Sequence, residues 1–386
     1  MDGAGIDQTF GDTVREGKVS LRVSPTGGDK GPGSKGGVFF NPAMVQNRDL
    51  SVVLVDLLSE NGLLPGKEKR VLDGLCGSGA RAIRLSVETR LCSDGVRIVG
   101  TDLDPASVDS AKVNAGLNEA EVHFLRSDLN AHLIRERYSY LDIDPFGSPV
   151  PFLQNGICGT LNGGFLGVTA TDTAALTGSV PRVSIRRYGA VLRMTHSYQE
   201  MACRTLMAYI ARTAATFERG VEPVLFYSSD HFIRGYVRIH KGARKADRSL
   251  EHLNWIRVPD PGPPVLMPGG QGDLGPVWTG PLEDPDILNG LRGKLFDEEK
   301  WEYLESRRNL QAMIDRSITE HGLPILGYDL NSLASHLGTS PPSMEKVFSE
   351  LGSLGRITSR SRFSPTIFKT DASREEVHEI FLTRGK

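Results

Sequence analysis

The sequence predicts an α/β protein: a parallel sheet covered by helices on both faces, followed by a smaller α+β unit with a winged-helix pattern. Three observations lead there. Between Arg70 and about Leu166, short apolar runs alternate with helical stretches, and strands that alternate with helices build parallel sheets. A glycine-rich turn, Asp73-Gly74-Leu75-Cys76-Gly77-Ser78-Gly79, directly follows the first run, as in Rossmann-like folds that bring the backbone close to a ligand. Near the C-terminus two short helical stretches precede a basic β-like tail, the order of a helix-turn-helix with a wing.

The elements follow in chain order. Residues 24–37 are rich in Gly, Pro and Ser and read as a loop. Asn41-Pro42 supplies an N-cap and a first-turn proline for a helix that reaches Ser59 and stops at Asn61-Gly62. Val71-Leu72 is the first strand of the sheet, and a helix starts near Ala80. Arg97–Gly100 is the next strand, and Asp104-Pro105 caps a helix running to Asn118. Val122–Leu125, Tyr140–Ile143 and Gly164–Thr169 are the third to fifth strands. A long helix covers 196–219, and Pro223–Tyr227 and Gly235–Ile239 are two further strands. Residues 259–285 hold many Pro and Gly and no periodic pattern, so they read as an irregular connector. Leu295–Ile318 reads as one charged amphipathic helix. Asp329–Leu337 and Ser343–Leu354 are short helices, and Arg356–Lys369 is the tail. The division predicted is a catalytic domain over 1–245, a connector over 246–285 and a nucleic-acid-binding domain over 286–386.

Composition narrows the class. Hydrophobic content of 39% with 7% aromatic is ordinary for a globular protein. No apolar run reaches the roughly 18 residues of a membrane span. Met1–Asp7 lacks the basic and apolar regions of a signal peptide, so the expected location is cytoplasmic. Cys76, Cys92, Cys158 and Cys203 form no C-x-x-C pair, so neither disulfides nor zinc are expected. The net charge is only −2, but basic residues gather in three groups: Arg182, Arg186, Arg187 and Arg193; Arg234, Arg238, Lys241, Arg244, Lys245 and Arg248; Arg356, Arg360, Arg362 and Lys369. A near-neutral protein can still present a basic face to a polyanion.

Two stretches carry chemistry. In Asp142-Ile143-Asp144-Pro145-Phe146-Gly147-Ser148-Pro149, a carboxylate, a proline and an aromatic ring arrive together at a strand's end. The Asp144 carboxylate can accept an N–H from an exocyclic amine. Pro145 fixes the backbone so that a carbonyl can accept another, and Phe146 offers a stacking face to a base. Asp142 reads as support, and Asp172 as either a base contact or a turn cap. The second stretch is the glycine turn, with Asp73 at its start and Gly77 within it. Asp102 lies at the end of the next strand, where an acid takes ribose hydroxyls, and Asp128 lies where an adenine edge would be held. The turn has neither the dinucleotide spacing nor a P-loop lysine. Its acids and small residues fit S-adenosylmethionine, which has no pyrophosphate to cradle.

With these residues in view, the chain resembles the archaeal and eukaryotic tRNA (guanine-N2)-dimethyltransferase family, which modifies guanine 26. The matching blocks come in the family's order: Val38–Asp49, Ser78–Arg84, Gly100-Thr101-Asp102, Asp142–Pro149, Gly167–Asp172, Asp230–Arg234, Gly275–Leu282 and Phe363–Thr366. The resemblance implies a class I methyltransferase fold, S-adenosylmethionine as donor and tRNA as partner, with basic groups on its phosphates. It implies donor binding by Arg48, Arg81, Asp102, Asp128 and the backbone of Leu129. It implies catalysis at Asp144, Pro145 and Phe146. No membrane or obligate protein partner is implied. Some members carry a four-cysteine zinc cluster after the catalytic domain, whereas residues 240–300 here hold no cysteine. Three alternatives stay open: N2-methylation at another tRNA guanine, methylation of another nucleic-acid amine, and a non-catalytic winged-helix protein.

Overall fold

The computed structural model describes residues 13–23, 40–229, 231–258, 262–267, 270, 272–297 and 299–382. The loop at 24–37, and Val38, Phe39 and Asp230 of the family-like blocks, lie outside the described residues.

A hairpin comes first, β1 (Thr13–Glu16) against β2 (Val19–Arg22). The Asn41 side chain accepts the Ala43 N–H and caps a short 3-10 turn that leads into α1 (Val45–Glu60). Strands and helices then alternate as expected: β3 (Arg70–Gly74), α2 (Ala80–Glu88), β4 (Arg97–Asp102), α3 (Pro105–Leu117), β5 (Val122–Arg126), α4 (Leu129–Arg135), β6 (Tyr138–Ile143), α5 (Val150–Gly159) and β7 (Thr160–Ala170). The short α6 (Thr173–Leu176) and α7 (Pro181–Tyr188) precede α8 (Tyr198–Ala215) and the antiparallel pair β8 (Arg219–Ser229) and β9 (Phe232–Lys241). The seven strands lie in the order β5-β4-β3-β6-β7-β9-β8; the first five are parallel and β9 runs against β7. Buried side chains fill both faces, α1 and α2 on one and α5 and α8 on the other. β6 is buried at all six positions, as a central parallel strand must be.

Among the described residues, the region expected to be an irregular connector contains strands. After α9 (Ala243–Glu251), strand β10 (Leu253–Arg257) pairs with both β11 (Val265–Met267) and β12 (Leu274–Trp278) in an antiparallel sheet. The proline and glycine content hid this sheet, although the β10–β11 partners lie only 8–12 residues apart and the β10–β12 partners 18–25. The single helix expected over Leu295–Ile318 is two, α10 (Pro285–Asp297) and α11 (Arg307–Glu320). Between them Trp301 is buried, and Ser306 donates to Asp49 from both its backbone N–H (3.0 Å) and its hydroxyl (2.6 Å). These contacts hold the break against α1. Both helices join the core on the α1 face.

The C-terminal unit has its own small core. It comprises β13 (Tyr328–Asp329), α12 (Leu330–His336), α13 (Met344–Ser353), β14 (Thr358–Arg360), β15 (Ile367–Thr370) and α14 (Arg374–Leu382), with the sheet order β13-β15-β14. Helix, turn, helix and hairpin follow in the expected winged-helix order.

Candidate functional site

The candidate site lies at the carboxyl ends of β3, β4 and β6. From β3 the chain builds outward through β4 to β5, and from β6 it builds the other way, so a crevice opens where the order reverses. Parallel pairing sets Asp73 of β3 beside Asp142 of β6, and both are buried. Adjacent buried acids need a counter-charge. Arg81, in the first turn of α2, enters between the strands and ion-pairs with Asp142 and Asp144, with Asp73 at 3.8 Å. A second guanidinium, Arg234 of β9, closes on Asp142 from the other side, with Nη1 at 3.0 Å from Oδ1 and Nη2 on Oδ2. Tyr140 donates its hydroxyl to Asp142 (2.6 Å), and Arg234 also donates to Thr169 (2.8 Å). Asn47 joins the network, donating to Thr169 (3.1 Å) and accepting from Arg81 (3.2 Å).

This approach requires a glycine on β7. A Cβ on Gly167 would lie 2.6 Å from Arg234 Nη2, 2.8 Å from Asp142 Oδ2 and 2.9 Å from the Tyr140 hydroxyl. The electrostatics separate the two buried acids. Burial works to raise the Asp142 pKa, but Arg234 and Arg81 overcome it and hold the carboxyl at about 2. Burial pushes the Asp73 carboxyl up to about 7, and the charges of Asp142 and Asp144 add to that push against the pull of Arg81. Burial disfavours the Arg81 charge, yet Asp142 and Asp144 keep it protonated above its usual range.

The other sequence-predicted residues fall around this cluster. Asp144 is 19% exposed at the end of β6, Pro145 is buried and Phe146 is 63% exposed. Gly147, at φ 79°, turns the loop, and its N–H donates to the Thr171 hydroxyl (2.7 Å). Asp102 accepts the Gly77 N–H at 2.9 Å, so these two predicted residues meet. Asp128 caps α4 by accepting from Ala131 N–H (2.9 Å), and the Leu129 side chain is buried below Gly74. Asp104 caps α3, accepting from Ala106 and Ser107. Arg48 is placed apart from the acids: its guanidinium pairs with Glu16 of the hairpin, donates to the Asn41 carbonyl (3.0 Å) and stacks on Phe40. Asp172 accepts from Tyr188 (2.7 Å) and Arg187 (3.0 Å).

From sequence, Asn47, Tyr140 and Thr169 have no predicted role, and Arg234 is expected only among the basic residues that face tRNA phosphates. Their one signal is their position inside the family-like blocks or beside the Asp142 stretch. The basic groups also sort differently in space. Arg234 is consumed inside the site, while Arg362 and Lys369 are buried in ion pairs with Glu283, Glu320 and Glu200. Arg356 and Arg360 pair with Glu376 and Glu345. The third group is therefore largely internal or neutralised.

Comparison with known proteins gives one consistent answer. The family model for N2,N2-dimethylguanosine tRNA methyltransferase matches residues 22–259 and 269–382. A tRNA (guanine(26)-N(2))-dimethyltransferase of Thermoplasma volcanium is 34% identical over 97% of this chain and 99% of its own length. The enzyme of that name from Methanothermobacter thermautotrophicus is 31% identical over 95% and 98%. Trm1 from Pyrococcus horikoshii, solved with S-adenosyl-L-methionine, superposes with a TM-score of 0.84 at 31% identity, covering 96% of this chain and 99% of that one. With the match running through the sheet, the Asp142–Pro149 loop and the C-terminal unit alike, the chain belongs to the N2,N2-dimethylguanosine tRNA methyltransferase family.

Proposed function

We propose that this protein transfers methyl groups from S-adenosyl-L-methionine to the exocyclic N2 of guanine 26 in tRNA, giving N2-methyl- and then N2,N2-dimethylguanine. The observation that carries the reading is the aligned carboxylate Asp144, held by Arg81 at the mouth of the crevice with an exposed aromatic ring two residues on. On this reading it acts in the cytoplasm. Residues 1–245 carry the chemistry and 246–285 connect; of 286–386, α10 and α11 pack on the catalytic core and the unit from β13 onward is the part proposed to bind tRNA.

The crevice suits a cationic donor. Asp142 and Asp144 pair with Arg81 and Arg234, which leaves Asp73, its carboxyl pushed up to about 7, as the acid that a nearby positive charge would ionise. Asp102, which accepts the Gly77 N–H, would take the donor's ribose hydroxyls. Asp128 and the Leu129 backbone take the adenine edge. Arg48, Arg81 and Asp73 would help hold the donor, which would supply an electrophilic methyl carbon.

Guanine N2 is a weak nucleophile because its lone pair is delocalised into the ring. Asp144 accepts one N2–H and concentrates electron density on the nitrogen. The Pro145 carbonyl accepts the second N–H, and Phe146 stacks on the base. N2 bonds to the methyl carbon as the carbon–sulfur bond breaks, and the N2 proton passes to Asp144 and then to solvent. Fixed alignment supplies much of the rate. The base must leave its stack to reach the loop. The test is transfer from labelled donor to tRNA transcripts carrying guanine or adenine at position 26. Label on the guanine transcript alone, recovered as dimethylguanosine, supports the proposal. Equal label on both would move the target elsewhere.

A further inference from the structure

One surface beside the crevice has features that the methyl-transfer chemistry does not use. From Thr173 to Gln199 the chain contains no acidic residue, yet it holds Arg182, Arg186, Arg187 and Arg193. The same stretch exposes large apolar side chains at Val180, Ile185, Val191, Met194 and Tyr198. On α7, Arg182, Ile185 and Arg186 stand at i, i+3 and i+4, so they form one stripe, and all three are exposed. The opposite side of that helix is buried through Ser184 and Tyr188. Among the described residues, Arg182 and Arg186 have no carboxylate partner.

The stretch is firmly fixed at both ends. At one end the Tyr188 hydroxyl donates to Asp172 (2.7 Å) and meets Ser148 Oγ (3.1 Å), which ties α7 to the loop that carries Asp144 and Phe146. In the middle, Val191 and Gly275 exchange backbone hydrogen bonds at 2.7 and 2.9 Å. At the other end the Ser197 hydroxyl donates to the Leu326 carbonyl, two residues before β13 opens the C-terminal unit. The stretch thus forms a fixed strip from the crevice to the winged-helix unit. A fixed strip that exposes cations interleaved with apolar and aromatic side chains is a candidate interaction surface.

Single-stranded nucleic acid has the matching chemistry. Its phosphates pair with guanidiniums, and its unstacked bases pack on apolar and aromatic faces. When one nucleotide leaves its stack, its neighbours lose a stacking partner. We propose that the α7 stripe (Arg182, Ile185, Arg186), continued by Met194 and Tyr198, is the landing surface for the tRNA strand flanking the target nucleotide. The two arginines hold its phosphates and the apolar side chains receive its bases. This inference rests on the tRNA reading above.

The test is tRNA binding by the full-length R182E/R186E protein, measured by fluorescence anisotropy at several salt concentrations. The Kd is expected to rise at least about tenfold, and the slope of log K against log salt to fall by about 1.5, since each phosphate contact contributes roughly 0.7–0.9. The methyl-donor Kd should stay at the wild-type value, and R182K/R186K should restore most of the tRNA affinity. A second variant, I185D, should weaken tRNA binding without changing the salt slope by more than the one added charge. An unchanged tRNA Kd and slope in R182E/R186E would overturn the inference. So would an equal loss from R244E/R248E on α9, which packs against the far strand β8, because the attraction would then be diffuse. A wild-type chain that binds no tRNA would instead sink the functional reading itself.

Discussion

Replacing Arg234 with methionine tests the charge network under the catalytic loop. Arg234 has no solvent exposure, grips Asp142 with both terminal nitrogens and donates to Thr169. Methionine keeps much of the length but removes the charge. Asp142 would retain only Arg81 and the Tyr140 hydroxyl. Removing one partner of a buried ion pair costs about 3–5 kcal/mol, because the charge left behind stays buried without its counter-ion. The surviving Arg81 contact places the expected loss at the lower end, about 3 kcal/mol. For a folded unit of 150–250 residues that corresponds to a fall in Tm of roughly 6–12 °C. Arg234→Lys keeps the charge but loses the two-pronged fit and should fall between. Differential scanning fluorimetry and urea unfolding would read both variants. An Arg234→Met protein that melts within about 1 °C of wild type would refute the reasoning, since desolvation would then cancel the whole pairing.

Three further outcomes are expected. Asp144→Asn should bind the methyl donor as wild type does, by calorimetry, while single-turnover transfer slows by roughly 10²–10⁴-fold; unimpaired turnover would remove Asp144 from the chemistry. Gly167→Ala, whose Cβ would lie 2.6 Å from Arg234 Nη2, should lose about 1–3 kcal/mol of stability in urea unfolding, and no loss would mean that the strand yields freely. The third concerns acid. The Asp142 carboxyl falls from an ordinary 3.8 to about 2 in the folded protein, so its contribution is complete above pH 4 and is lost as pH drops toward 2. That window holds about 2 kcal/mol, and wild type should lose that much more stability between pH 5 and pH 2 than Asp142→Asn; an equal loss in both would contradict the assignment.

The sheet was legible in the sequence because each strand end was marked by a local feature. The glycine turn after β3, Asp102 at the end of β4 and the Asp142–Pro149 stretch after β6 each announced themselves within a few residues. The in-register neighbours were not legible. Nothing near Arg234 indicates that it will reach Asp142, 92 positions earlier, because only the β6-β7-β9 order and the bare Gly167 bring them together. Asn47 was overshadowed by its neighbour Arg48. In space the pair divides, Asn47 toward Arg81 and Arg48 toward Glu16. The small β10-β11-β12 sheet was masked by proline and glycine. The break between α10 and α11 depends on Trp301 joining the core and on Ser306 reaching Asp49 of α1, 257 positions earlier. The basic C-terminal tail looked like a nucleic-acid surface in sequence because its acids, Glu200, Glu283 and Glu320, are distant in the chain.

The central claim, that the acceptor is the N2 amine of guanine 26, is tested most directly by tRNA carrying inosine at position 26. Inosine keeps the purine ring and its O6 but lacks the exocyclic amine. With labelled S-adenosyl-L-methionine, the account predicts dimethylguanosine from the guanine transcript and no label at position 26 of the inosine transcript. Label retained on inosine 26 would contradict it, because the methyl group would then be going to an atom that Asp144 and Pro145 are not placed to activate.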